Sequence, residues 1–529
     1  MKLVNQLAFI AFGILCLPQG VFSQDNQKAE EYARTINPED LKFHIDTIAS
    51  DYMEGRETGM KGQKAARDYI TNYYANIGIN PIGDSTYLQT FPLKRVSSTE
   101  STMKLGDSEF HFLEDFYFFG GFFADSIRAE EIVFAGFGIE DSSYNDYENL
   151  EVEGKVVLML SGEPVDRRGK SLITGEDHLS EWSDHYRMKR ETAREKGAKA
   201  ILVVNQNFDQ YVGRIKYYLE SPRMQLDDGF QGEEVLPAFF ISPEVADFLF
   251  SKAKKGSIEE VAEKISKKEG SMNFDINLPL QIDIQRNVEH FTSSNILGYI
   301  EGSDLKDELI VISAHYDHIG VNEDGSINNG ADDDASGTSA VLEMAQAFKK
   351  AKEEGNGPRR SILFLHVSGE EKGLLGSQYY TDNPWFPLQQ TVSNLNVDMI
   401  GRVDEKHKDD ENYIYVIGSD KLSTDLHEIN ETANDTYTNL ELDYTYNDPN
   451  DPNRFYYRSD HYNFAKYGIP VIFYFSGVHE DYHQPTDTPE KIMHEKTAKI
   501  SRLIFHTAWE LANRDERIVV DVENDFKEK

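Results

Sequence analysis

The spacing of apolar residues changes character several times along this chain. Residues Pro38 to Ala49 and Gly62 to Ile77 repeat at helical spacing, the second with Ala66, Tyr69, Ile70, Tyr73 and Tyr74 among its apolar positions. This predicts two amphipathic helices joined by the polar, glycine-containing loop "SDYMEGRETGMKG". From about Ser101 the pattern shortens to apolar runs set between turn residues: "EEIVFAGFGI", "GKVVLMLSG" and, after a helical stretch from Arg187 to Lys196, "GAKAILVVN". That order of strand, strand, helix and strand predicts a compact module of its own. Pro243 to Lys268 reads as one charged helix with Ser242 as its N-cap, and Gly270 to Glu289 returns to an extended pattern.

From Asn295 onward buried strands alternate with helices, which marks an α/β sheet. The strands are "ELIVISA" (Glu308 to Ala314), "SILFLHV" (Ser361 to Val367), "TVSNLNVDMIG" and "IPVIFYFSG". Between the first two lies a helix whose Val341, Met344, Ala345 and Phe348 fall at i, i+3, i+4 and i+7.

Composition narrows the picture. At 529 residues, 28% charged and 39% hydrophobic, the chain is long enough for more than one domain. Its 92 acidic and 54 basic residues give a formal net charge of −38. Nucleic acid and anionic membrane surfaces are therefore not expected as partners, because binding phosphate needs a basic footprint. Residues Met1 to Ser23 have the layout of a signal peptide: Lys2, the apolar stretch Leu7 to Leu17, then Val21-Phe22-Ser23. The stretch is too short for an ordinary membrane span, so the expected product is secreted or periplasmic, with no stable membrane insertion. Cys16, the only cysteine, lies in this leader, and the mature chain is expected to form no disulfide.

Candidate chemistry collects where the strands end. After Ala314 comes "HYDHIG", with His315 and Asp317. The loop "NNGADDDASG" sets Asp332, Asp333 and Asp334 before the long helix. Next come "SGEEKG", with Glu370 and Glu371, "NVDMIG", with Asp398, and "GVHEDYHQPTDT", with His483. In open α/β sheets, sites form outside the carboxyl ends of the strands, so five separate segments are expected to converge. Histidine with several carboxylates and no thiolate suits zinc, and there are more carboxylates than one tetrahedral ion requires. Two ions sharing one aspartate would use them better.

The last segment also contains His479-Glu480-x-x-His483, the H-E-x-x-H string that zinc proteases carry on a helix. Gly477, Pro485 and Pro489 leave no room for that helix. His483 is kept as a candidate ligand, His479 and Glu480 are read as completing the string by chance, and His318 is read as structural.

Together these segments resemble the co-catalytic di-zinc aminopeptidase family, the group that includes glutamate carboxypeptidase and, as a metal-free relative, the transferrin receptor. The resemblance implies a three-layer α/β/α peptidase domain with a mixed, mostly parallel sheet. It makes His315 and Asp398 ligands of one of two Zn2+ ions and Glu371 and His483 ligands of the other, with Asp333 bridging them. It further implies that Asp317 orients His315, that Glu370 is the general base, and that the Tyr482 hydroxyl serves the tetrahedral intermediate. The region from Ser101 to Gln285 is similar to the protease-associated domain that many members carry as an insertion. The expected layout is a signal peptide at 1–23, peptidase domain at 24–100, small β-rich insertion at 101–285, and peptidase domain again at 286–529.

The expected activity is removal of N-terminal residues from peptide substrates. A glutamate-releasing carboxypeptidase, for which Arg458 in "RSDHYNF" could hold a carboxylate, is a rival, as are a single-zinc glutaminyl cyclase and a non-catalytic receptor. Asn430-Glu431-Thr432 and Asn434-Asp435-Thr436 fit the N-glycosylation pattern.

Overall fold

Strand Leu305–His315 shows how this sequence builds a buried sheet. Leu309 and Val311 enter one apolar cluster, while Ile310, Ile312 and Ala314 enter another. Side chains alternate across a strand, so a continuous apolar run is stable only where both faces are covered. In this computed structural model, which describes residues 27–523 apart from 83–85, 121, 123, 228, 230–234 and 269, helices supply that cover. The leader expected at 1–23, with Cys16, lies outside the described residues.

The chain folds as two units, one running to Pro92 and resuming at Phe291, the other spanning Leu93–His290. The divisions fall inside two strands, Leu88–Ser97 and Asn287–Ile300. In the first unit, Val471–Phe475, Thr391–Val397, Leu305–His315 and Arg360–Val367 lie side by side and parallel. Antiparallel pairing with Tyr413–Ile417 on one side and Asn287–Ile300 on the other extends these strands into a larger, mixed sheet. One face packs on helices Pro38–Ile48, Lys61–Asn76, Gly337–Glu353 and His494–Asn513. The other packs on Leu375–Asp382 and His461–Ala465 through Tyr380 and Phe464. The result is three layers.

The second unit has its own core. Ile132–Ala135, Val156–Leu160, Ala200–Val204 and Ala238–Ile241 form a parallel set with antiparallel edges Asn273–Ile276 and Phe116–Phe118. A second, four-stranded sheet is antiparallel. Ser242 caps as expected, its hydroxyl accepting from the Val245 N–H. The expected single helix Pro243 to Lys268 is instead two, Pro243–Lys252 and Ile258–Lys268. Lys254 at φ 56° and Gly256 at φ 98° turn the chain out of the helical region between them.

The asparagines of both glycosylation sequons are buried. Asn430 accepts from the Tyr474 and Thr507 hydroxyls, and Asn434 donates to the Leu440 carbonyl. Among the described residues, no helix is long and apolar enough to cross a membrane.

Candidate metal centre

The parallel register brings the strand ends together: His315 pairs with Val367, and Val397 with Tyr474. Each chain then turns sharply. At the aspartate turn Gly330 has φ +57°, and a Cβ there would come within 2.2 Å of the Asp333 carbonyl and 2.5 Å of the His318 ring, so only glycine fits. Met399, beside Asp398, and His483 itself adopt φ of 56° and 57°. Non-glycine residues held in that region are found where the surroundings over-determine them, often at functional sites.

Asp333 stands at the centre. His315 Nε2 lies 3.1 Å from its Oδ1, and His483 Nε2 lies 3.2 Å from its Oδ2. On one side His315 Nε2 is also 3.5 Å from Asp398 Oδ1, while Asp398 Oδ2 accepts the Ser459 hydroxyl at 2.7 Å. On the other, His483 Nε2 is 3.1 Å from Glu371 Oε2, while Glu371 Oε1 faces His318 Nδ1 at 2.8 Å. Both outer carboxylates thus have one oxygen tied down and the other turned toward a histidine. Asp334 also brings a carboxylate oxygen near His315 and Asp398, but its Oδ1 accepts from the Gly337 and Met399 N–H groups.

Asp317 behaves differently from the expectation that its carboxylate orients His315. The group within hydrogen-bond reach of His315 Nδ1 is the Asp317 main-chain carbonyl at 3.1 Å; the carboxylate is 4.0 Å away. That carboxylate instead accepts from the Thr58 hydroxyl at 2.7 Å and the Glu370 N–H at 3.2 Å. Glu370 lines the pocket with Tyr482, Arg458 and the apolar side chains of Phe455, Phe473 and Phe475.

The electrostatics are those of a carboxylate nest short of cations. Burial alone would lower the His315 pKa, yet Asp398 and Asp333 outweigh it and hold the imidazole well above its ordinary value. Burial likewise opposes the charge on His483, but Asp333 and Glu371 lift it to about 10. Burial and Asp333 push the Glu371 carboxyl up, and His318 and His483 overcome them to hold it at about 2. Burial, together with Glu371, Asp398 and Asp460, keeps the Glu370 carboxyl well above the usual carboxylate range despite His315. Burial above all keeps Tyr482 protonated.

Does this nest suit a metal? His483 Nε2 is buried without a hydrogen-bond partner although two carboxylate oxygens lie near 3 Å. Ligands at 2.0–2.1 Å on a tetrahedral zinc ion sit about 3.3 Å from one another, so these are ligand-to-ligand separations. Imidazoles and carboxylates without thiolate fit zinc.

Several contributors were not singled out from sequence. His479, set aside as chance, has its Nε2 3.2 Å from Asp332 Oδ2. Asp487 accepts from the Asp332 and Asp333 N–H groups. The loop carrying His483 therefore grips the turn carrying Asp333. The H-E-x-x-H string pointed at His479 for a wrong structural reason; His318 had only its nearness to His315 as a signal.

Fold and donor set define a class first: an α/β sheet with a histidine-carboxylate cluster suited to metal at its strand ends. Comparison with known proteins then narrows it. Residues 295–508 match Peptidase family M28, and residues 129–249 match the PA domain. The chain thus carries a region of peptidase family M28 and, before it in sequence, a region similar to the PA domain. Aminopeptidase YwaD of Bacillus subtilis (strain 168) is 29% identical over 234 residues, 43% of this chain and 46% of that protein. A probable leucine aminopeptidase of Arthroderma benhamiae is 30% identical over 213 residues, 39% of this chain and 55% of that protein. The chain thus spans about half the length of these curated relatives. The solved aminopeptidase from Aneurinibacillus sp. strain AM-1 covers 94% of this chain and 99% of its own at a TM-score of 0.52 and 18% identity, a likeness of fold.

Proposed function

We propose that the chain is an exported di-zinc exopeptidase that removes N-terminal residues from peptides. The observation that carries this reading is Asp333, with His315 facing one of its carboxylate oxygens and His483 the other. One aspartate placed between two histidine-carboxylate sets is suited to hold two ions. In this reading His315, Asp398 and Asp333 hold one Zn2+, and Asp333, Glu371 and His483 hold the second. Bound there, zinc supplies Lewis acidity toward the scissile carbonyl and makes water a nucleophile near neutral pH.

The remaining steps belong to the protein. Glu370, whose main chain is held by Asp317, takes a proton from the attacking water on a carboxylate oxygen and returns it to the leaving amine. Its high proton affinity suits both halves of that exchange. Tyr482, kept protonated, offers its hydroxyl to the developing oxyanion. Phe455, Phe473 and Phe475 offer an apolar wall to the substrate side chain. Export rests on the leader read at 1–23.

Arg458 supports a second reading. As the one arginine or lysine among the described residues lining the pocket, it could hold a terminal carboxylate, as a carboxypeptidase requires. A matched peptide pair, one with a free α-amine and one N-acetylated, tested with and without a zinc chelator, separates the two. Chelator-sensitive cleavage of the free-amine peptide alone is expected. Equal cleavage of the blocked peptide would favour the carboxypeptidase, and no cleavage of either would sink both.

A further inference from the structure

Arg56 lies in the polar segment between helices Pro38–Ile48 and Lys61–Asn76, far in sequence from the metal centre, yet its side chain is fully buried. Glu54, Gly55 and Arg56 adopt left-handed φ of 46°, 62° and 50° in succession. The strap they form cannot back away, because a Cβ on Gly55 would come 2.4 Å from the Gly320 carbonyl oxygen and 2.6 Å from that of Asn328. It is pinned from outside as well: the His318 N–H donates to the Arg56 carbonyl and the Gly320 N–H to that of Gly55.

Inside, the guanidinium donates only to main-chain carbonyls. Nε reaches Tyr316 at 3.0 Å, Nη1 reaches Ile48 at 2.9 Å and Asn329 at 2.6 Å, and Nη2 reaches Gly330 at 2.8 Å and Asp333 at 3.3 Å. Tyr316 sits between His315 and Asp317, and Asn329 to Asp333 form the turn that carries the central aspartate. One side chain therefore joins two segments that meet at the metal centre.

The backbone of that turn is caught between a cation and an anion. Its carbonyls at 329, 330 and 333 point to Arg56, while its N–H groups at 332 and 333 point to the Asp487 carboxylate. Buried main-chain groups must be paired, and here both kinds are paired away from the pocket. The Asp333 side chain is left to face His315, His483 and, at 3.7 Å, His318. Lysine could not substitute fully, since it has three donors and no planar fork to spread over five carbonyls.

We propose that Arg56 is a positioning residue that sets the Asp333 turn and thereby the affinity of the centre for metal. The proposal rests on the reading of Asp333 as a shared metal ligand. It is tested on the purified full chain and on the Arg56→Lys and Arg56→Gln variants. Bound zinc per chain and zinc affinity are measured by competition with a chromophoric chelator, and the visible spectrum is recorded for the cobalt-substituted protein. Circular dichroism of the metal-free forms reports the fold. Loss of outer partners of metal ligands typically weakens affinity by about 10- to 100-fold, and a loss in that range is expected for Gln, with Lys recovering part of it. The cobalt bands should shift while the folded signal is retained. Wild-type affinity and an unchanged cobalt spectrum in both variants would overturn the proposal. So would failure of both to fold with or without zinc, which would make Arg56 purely structural. If the wild-type chain itself bound no zinc, the metal reading of the centre would fall first, independently of any variant.

Discussion

The two units use the same scaffold to different ends. Each has parallel strands flanked by antiparallel ones and an apolar core of its own. In the peptidase unit the chain leaves those strands through His315, Glu370, Glu371 and Asp398. In the inserted unit the corresponding exits are structural: Asn205, after Val204, bonds the Tyr117 hydroxyl, and Ser242, after Ile241, caps a helix. A parallel sheet creates a crevice at its carboxyl edge, but only the residues placed there give it chemistry. Buried charge differs likewise. In the inserted unit Asp146 accepts the Phe137 and Ile139 N–H groups and stabilises a loop, whereas in the peptidase unit the buried Asp333, Glu370 and Asp398 line one pocket.

The hardest test of this contrast is Glu370→Gln. Removing a general base typically costs about 10²- to 10⁴-fold in rate. A kcat loss of that size with unchanged zinc content is expected, and turnover within tenfold of wild type would remove Glu370 from its role. Next in size is Phe134→Ala. Phe134 is fully buried in the second core against Phe250 and Phe274, and its truncation should cost about 3–5 kcal/mol. Denaturation of the inserted unit should move to lower denaturant while zinc content stays constant, and a loss of zinc would mean that the units are not separable in this way.

Acid should act with opposite sign on two sets of buried groups, one in each unit. Burial holds His366, His461 and His506 of the peptidase unit at about 3, below their ordinary 6.5. Unfolded chains take up these protons first, so the stability they contribute is complete above pH 6.5 and drains as pH falls toward 3. Burial raises Asp146 of the inserted unit from 3.8 to about 6, so that group favours the folded state increasingly as pH falls from 6 to 3.8. Hydrogen exchange at pH 7 and pH 4.5, corrected for intrinsic rate, should show Leu305–His315 losing protection before Ala200–Val204. The reverse order would break the comparison.

What could be read from sequence, and what could not, follows from the kind of signal each feature leaves. A buried strand that stops at a histidine or carboxylate leaves two local marks, and the segments that the structure brings together around Asp333 were visible largely on those grounds. Arg56 left none, because its partners are carbonyls, which every residue has. His479 was set aside because its partner, Asp332, is remote in sequence and no local pattern links them. At Asp317, i+2 spacing cannot tell a carbonyl from a carboxylate, and the structure turns the carboxylate to Thr58 and Glu370 instead. The break at Lys254 and Gly256 escaped because helical periodicity resumes on its far side.

Asn430 and Asn434 carry a practical consequence for making this protein. An oligosaccharide transferred to a nascent chain arrives before the core closes, and the Asn430 amide must later sit with Tyr474 and Thr507 inside it. A host that decorates Asn-x-Thr during translocation would therefore hand the chain a group its interior has no space for. Production through a bacterial export route avoids the conflict, and in a eukaryotic one Thr432 and Thr436 are the positions to change.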